Sequence, residues 1–175
     1  MTEGKILICL YGPESTGKST LARELAVHYG TEFVPEVARE IVTSNVFTVE
    51  DIVRIGYAQT ERVLRKLKTA NRFLFCDTDL ITTQIYCRHY LGVVPDVLFE
   101  LEQQVVYDHY FLFDVDVPWV ADGMRDLGGA SQREAMFRNF QAALDQRGIG
   151  YTFVRGNYAA RASIVKATLA AMWGG

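Results

Sequence analysis

Residues 12–20 read GPESTGKST, set between the apolar run KILICLY (5–11) and the helical pattern LARELAVHYG (21–30). No other stretch narrows the fold as much. Gly12 and Gly17 flank four residues and are followed by Lys18, Ser19 and Thr20, which satisfies G-x-x-x-x-G-K-[ST]. At average residue frequencies such a match arises by chance about one time in a hundred in a chain of 175 residues. The strand before it and the helix after it supply the context the pattern requires. Successive backbone N–H groups from Glu14, Ser15, Thr16 and Gly17 to Ser19 are then able to converge on one anion, with the positive end of the helix behind them. Lys18 is expected to neutralise the β- and γ-phosphates, and the Ser19 hydroxyl to ligate Mg²⁺. The stretch predicts a site for a nucleoside triphosphate with magnesium, without saying where the γ-phosphate goes.

The rest of the chain alternates apolar runs with helical patterns. TEFVP (31–35), RFLFCD (72–77), HYFLFDV (109–115) and YTFV (151–154) read as further strands. TVED (48–51) is a capping box, and the helix after it sets Ile52, Ile55, Gln59, Val63 and Leu67 on one face. SQRE (131–134) reads as a second box, opening a helix with Phe137, Phe140 and Leu144 inward and stopped at Gly148. A closing helix covers 158–173. Strands separated by helices imply parallel pairing through right-handed crossovers. The expectation is one α/β domain over 1–175, a three-layer P-loop NTPase fold with a five-stranded parallel sheet.

Composition removes several alternatives. A net charge of −3 offers no basic stripe for nucleic acid. No run approaches the length of a membrane span, and the N-terminal stretch is too polar and too short in its apolar part for a signal peptide. The three cysteines (Cys9, Cys76, Cys87) show no CxxC spacing. A cytoplasmic chain is the expectation; the sequence leaves oligomeric state open. DLGG (126–129) fits the DxxG element of GTPases but follows no strand, and NKxD is absent.

Phosphoryl transfer needs a carboxylate to support the metal or take the acceptor's proton. Two strands end in one, at Asp77 and Asp114, and ligands of open α/β sheets bind beyond such ends. Asp77 is favoured because Asp79 and a polar stretch, DTDLITTQ, follow directly. Asp79 also reads as a helix N-cap. On the acceptor side, Glu36 and Arg39 either touch a small molecule or form an i,i+3 pair. Gln59 interrupts an apolar stripe and needs a partner, a ligand or a backbone group. Residues 116–133 carry Arg125 and Arg133 in a glycine-rich stretch suited to a lid over the phosphates. GNYAAR (156–161), with Asn157, is placed to contact the base.

GPESTGKSTL, E-x-x-R-E, FCDTDLITTQIYC and DVDVPWVADGMRDLG, in that order over roughly 5–172, resemble the ribosylnicotinamide kinase domain of the NadR proteins, part of an AAA-like group of P-loop ATPases. The resemblance implies ATP-dependent phosphorylation of the ribose 5′-hydroxyl of nicotinamide riboside, giving nicotinamide mononucleotide. It makes Gly12 to Thr20 the ATP phosphate loop and Asp77 the metal-supporting or base carboxylate. It makes Asp79, Glu36 and Arg39 acceptor-side groups, and Arg125 the lid arginine. Full NadR proteins add an adenylyltransferase domain with HxGH, and some a helix-turn-helix; His28, His89 and His109 never form HxGH and no length remains for either domain, so adenylyl transfer and repression are not expected. The family pattern sets an aromatic residue before the glutamate of E-x-x-R-E, suited to stacking on the nicotinamide ring. Here that position is Pro35, and Tyr57 or Trp119 would have to supply the ring. A kinase for another nucleoside, and an ATP-switched module working through a protein partner, are the competing readings.

Overall fold

The computed structural model describes residues 4–44, 46–116 and 129–174. Five strands, β1 (Ile6–Tyr11), β2 (Glu32–Val34), β3 (Phe73–Asp77), β4 (His109–Phe113) and β5 (Tyr151–Val154), form one parallel sheet in the order β2-β3-β1-β4-β5. The helices are α1 (Lys18–Tyr29), α2 (Ala38–Ile41), α3 (Val49–Thr69), α4 (Leu80–Leu91), α5 (Asp96–Glu102), α6 (Ala130–Gln146) and α7 (Tyr158–Trp173).

Because both faces of the sheet are covered, its strands read as unbroken apolar runs, and alternate residues serve opposite layers. Ile8 and Leu10 of β1 pack with Leu21 and Leu25 of α1 and Val165 and Leu169 of α7. Cys9 and Tyr11 face the other way, toward Ile81 and Ile85 of α4 and Met136, Phe140 and Leu144 of α6. Leu7, Leu74 and Cys76 meet Val63 of α3 on that same side. A separate cluster of Val42, Ile52, Ile55, Cys87 and Leu98 ties α3, α4 and α5 together. The result is three layers.

The topology fixes the site. β1 is central, with Leu10 in register with Asp77 of β3 and Tyr11 with Leu112 of β4. The loop that leaves β1 therefore emerges between the C-terminal ends of β3 and β4, where the chain order diverges to the two sides.

The first capping box forms: Thr48 Oγ1 accepts from the Asp51 N–H at 3.2 Å, and Asp51 Oδ2 accepts from the Thr48 N–H at 2.9 Å. The second does not fall on Ser131. Helix α6 starts two positions before the one that a Ser131 cap implies, after an extended Gly129 whose N–H is 3.4 Å from Gln132 Oε1. Ser131 is then an exposed first-turn residue, Met136 joins the core, and Phe137 is only partly buried. No described helix is long and apolar enough to cross a membrane.

Candidate active site

The loop between β1 and α1 owes its shape to three residues with left-handed φ: Gly12 (143°), Ser15 (57°) and Gly17 (88°). At Gly12 a Cβ would stand 2.7 Å from the Phe113 carbonyl oxygen, so only glycine permits this approach of the loop to β4. Thr16 Oγ1 donates to the Pro13 carbonyl at 2.9 Å. Gly17 caps α1, whose first turn contains no acidic residue, leaving its positive end to an outside anion. Lys18 folds back over the loop and donates to the carbonyls of Gly12 (2.8 Å) and Pro13 (2.6 Å). Ser19 and Thr20 are exposed on the first turn. A polyphosphate arriving here meets an ammonium already aimed along the loop.

Asp77 and Asp114 flank this loop but are engaged differently. Asp114 Oδ2 accepts from Arg155 Nε at 2.7 Å, and its Oδ1 takes the Val115 N–H at 2.7 Å. Asp77 is buried at the end of β3, 2% exposed. It and Lys18 both act on the Cys9 thiol: burial pushes that thiol well up, Asp79 and Asp77 add to the shift, and Lys18 opposes it. Among the described residues no group of three or more His, Cys, Asp or Glu could hold a metal. Among the described residues, the oxygens the sequence assigns to a metal are the Ser19 hydroxyl in the first turn of α1 and the Asp77 carboxylate at the end of β3. That sparse oxygen set fits Mg²⁺, which binds through one or two protein oxygens with the substrate's phosphates completing its shell.

Beyond Asp77 the backbone turns sharply. Thr78 takes φ 74°, a strained conformation for a β-branched residue, and its N–H donates to the Leu10 carbonyl at 2.9 Å. Asp79 then caps α4: Oδ1 accepts from the Thr82 N–H and hydroxyl, both at 3.0 Å, and Oδ2 from the Tyr110 hydroxyl at 2.7 Å. Burial pushes its carboxyl above the usual range, against those hydrogen bonds.

A cleft of about 90 Å³ opens beside this turn. Phe47, Tyr86 and Tyr90 form an aromatic wall, with Tyr86 stacked on Tyr90 (centroids 6.4 Å) and Phe47 edge-on to Tyr90 (5.5 Å). Ile52, Ile55 and Val42 form an apolar floor, and Glu36, Gln59, Thr78 and Asp79 supply polar groups. Gln59 Oε1 accepts from the Val37 N–H at 3.3 Å, which leaves Nε2 as the amide's remaining donor. Gln59 Nε2 and Thr78 Oγ1, both buried, have no hydrogen-bond partner among the described residues. Buried polar atoms in that condition on the wall of a cleft point to a ligand.

Of the other residues singled out in the sequence, Arg39 pairs with Glu36 at 3.1 Å. Tyr57 is 55% exposed, with Thr60, Glu61 and Leu64 on another face of α3, and does not line the cleft. Asn157 caps α7, accepting from the Ala160 N–H at 2.9 Å. Arg125, Trp119 and all of 117–128 in the lid stretch lie outside the described residues. Arg133 is buried against the phosphate loop, its Nη2 3.4–3.5 Å from the carbonyls of Ser15 and Glu14. Phe47, Tyr86 and Tyr90 escaped the sequence reading. On α4 the aromatics sit at i and i+4 beside an equally apolar core face, so periodicity cannot tell cleft from core. Arg161 closes the GNYAAR stretch read as a base contact, and its anchoring of the loop escaped. Its guanidinium, 2% exposed, bonds Gly156 (2.8 Å), Asp114 (3.1 Å), Val154 (3.2 Å) and Thr16 (3.4 Å) through their carbonyls and the Asp116 carboxylate, tying the phosphate loop to β4 and β5. A lone arginine in an alanine-rich helix was its only signal.

A parallel sheet with a glycine-rich anion loop at the end of its central strand, and a second cleft beyond the neighbouring strand, defines a P-loop NTPase of the nucleoside- and nucleotide-kinase architecture. The AAA domain family model matches residues 7–161, and the chain belongs to that family. It is 31% identical over 156 residues to the trifunctional NAD biosynthesis/regulator protein NadR of Salmonella typhimurium, covering 85% of this chain and 38% of that protein. Two solved structures share the fold. A NadR protein in complex with NAD and AMP-PNP superposes with a TM-score of 0.81 at 20% identity, over 99% of this chain and 51% of that one. A NadR protein in complex with NR superposes with a TM-score of 0.78 at 21% identity, over 96% and 52%. The chain thus spans 37–52% of the length of the NadR proteins it matches.

Proposed function

We propose that the chain, one kinase domain over 1–175, transfers the γ-phosphoryl group of ATP to the ribose 5′-hydroxyl of nicotinamide riboside, giving nicotinamide mononucleotide and ADP, in the cytoplasm and without a nucleic-acid partner. The observation that carries this reading is the pairing of two sites across one strand end. The phosphate loop leaves β1 next to the end of β3 at Asp77, and an aromatic-walled cleft with donors that have no partner among the described residues opens at Thr78 and Asp79, directly after it.

In this reading the loop amides and Lys18 hold the β- and γ-phosphates. Mg²⁺, held by Ser19 and Asp77, would draw charge from the phosphate oxygens. Asp77 orients the acceptor hydroxyl, whose oxygen bonds to the γ-phosphorus as the bond to the β-bridging oxygen breaks; the hydroxyl proton passes to Asp77 and on to water. Gln59 Nε2 donates to a carbonyl-type oxygen on the nucleoside, and Thr78 Oγ1 to a second polar group. Arg125 from the lid stretch and Arg133 behind the loop balance the charge.

The relatives support the acceptor, since one carries NAD biosynthesis in its name and another was solved with NR. Pro35 favours a second reading, a different nucleoside, because the aromatic expected there is missing; Phe47, Tyr86 and Tyr90 offer rings in its place. ADP release with MgATP and a panel of nucleosides tests the assignment. Nicotinamide riboside should accelerate it most. Acceleration by another nucleoside alone would replace the acceptor, and acceleration by none would favour the ATP-switched module.

A further inference from the structure

Glu14 is an odd component of a polyanion site: its carboxylate is buried, 3% exposed, within the loop that should receive phosphates. Like charges this close repel strongly unless the carboxylate is held. Its Oε2 accepts from the hydroxyl of Tyr86, which reaches over from α4. Oε1 has no hydrogen-bond partner among the described residues. Behind it stands Arg133, whose guanidinium burial pushes down while Glu14, then Tyr86, hold it up.

Tyr86 therefore touches both halves of the site. Its hydroxyl holds the phosphate loop, and its ring is part of the aromatic wall of the cleft, stacked on Tyr90 and edge-on to Phe140 at 5.8 Å. Helix α4 cannot easily absorb a shift of that ring, because Ile81 and Ile85 anchor it in the core. A ligand pressed against the ring is thus felt at the hydroxyl, and through it at Glu14.

We propose that Tyr86 is a positioning residue that links occupancy of the acceptor cleft to the geometry of the phosphate loop through Glu14, so that a seated nucleoside tightens the loop on the triphosphate. The inference rests on the kinase reading. By linkage, the triphosphate must tighten nucleoside binding by the same factor.

The test measures the affinity of the full chain for Mg²⁺-loaded AMP-PNP with and without saturating nicotinamide riboside, and the riboside's own affinity. In the wild-type chain the riboside should tighten AMP-PNP about tenfold. Tyr86→Phe keeps the ring and loses the hydroxyl. It should lower that factor to near one, leave the riboside's Kd in the absence of nucleotide within about twofold, and raise the acceptor KM at saturating ATP about tenfold. Glu14→Gln still offers the tyrosine an oxygen and should retain more tightening than Glu14→Ala. Full tightening in Tyr86→Phe would overturn the inference, as would a loss explained by a raised riboside Kd in the absence of nucleotide. A wild-type chain that binds and phosphorylates the riboside without tightening AMP-PNP would overturn it while leaving the kinase reading intact. One that binds no nucleoside would end both.

Discussion

The phosphate loop and the acceptor cleft meet near the end of β3 and are built in opposite ways. The loop is one contiguous stretch, and the hydrogen bonds of Lys18 and Thr16 close within six residues of chain. The cleft draws on α2, α3, α4 and the turn between β3 and α4, from Glu36 to Tyr90. Lys18 and Thr16 find their oxygens inside the loop, whereas Gln59 Nε2 and Thr78 Oγ1 have no partner among the described residues. The contrast teaches where selectivity resides. In the proposed reading, amides and an ammonium would grip any polyphosphate, whereas fixed, unmatched polar atoms beside an aromatic wall would discriminate among acceptors.

The largest way to break that contrast is Lys18→Ala. Removing the cation from the loop should lower kcat/KM for ATP about a thousandfold in a coupled ADP assay, and full retained turnover would mean the loop does not hold the donor. Asp77→Asn comes next: kcat should fall about a hundredfold with little change in AMP-PNP affinity. Asp114→Asn should be milder, because that carboxylate is already committed to Arg155; the reverse ranking would move the reacting centre to the β4 side.

Asp79→Ala tests the scaffold beneath both regions. Losing the cap of α4 and stranding the Tyr110 hydroxyl should cost about 2–3 kcal/mol in a urea melt, and an unchanged midpoint would remove Asp79 from the frame. The smallest effect sharpens the comparison most. Gln59→Leu should raise acceptor KM about tenfold while ATP KM stays put. Equal changes in both would mean that Gln59 serves the fold and not the ligand.

The division between the two regions also governs what was readable from residues alone. The loop, the five strands and the Thr48–Asp51 cap rest on local rules: glycine at left-handed φ, apolar runs for strands buried on both faces, a hydroxyl three residues before a carboxylate. Ser131 shows how such a rule slips, since Gly129 and Gln132 formed the helix start instead. Gln59 stood out because it broke a helical stripe. Tyr86 and Tyr90 did not, because α4 is apolar on more than one side. Tyr57 looked available by composition and faces elsewhere.

By itself the sequence determined that a strand, an anion-binding loop and a helix follow one another, and that the sheet is parallel. Those features depend on φ restrictions and periodicities that act within a few residues. Only the tertiary structure decided that Asp114 is tied to Arg155, that Arg161 binds the loop from α7, and that Tyr86 spans cleft and loop. These neighbours are 41, 145 and 72 positions apart. Their meeting depends on how the crossover helices pack against the sheet, which no local pattern encodes.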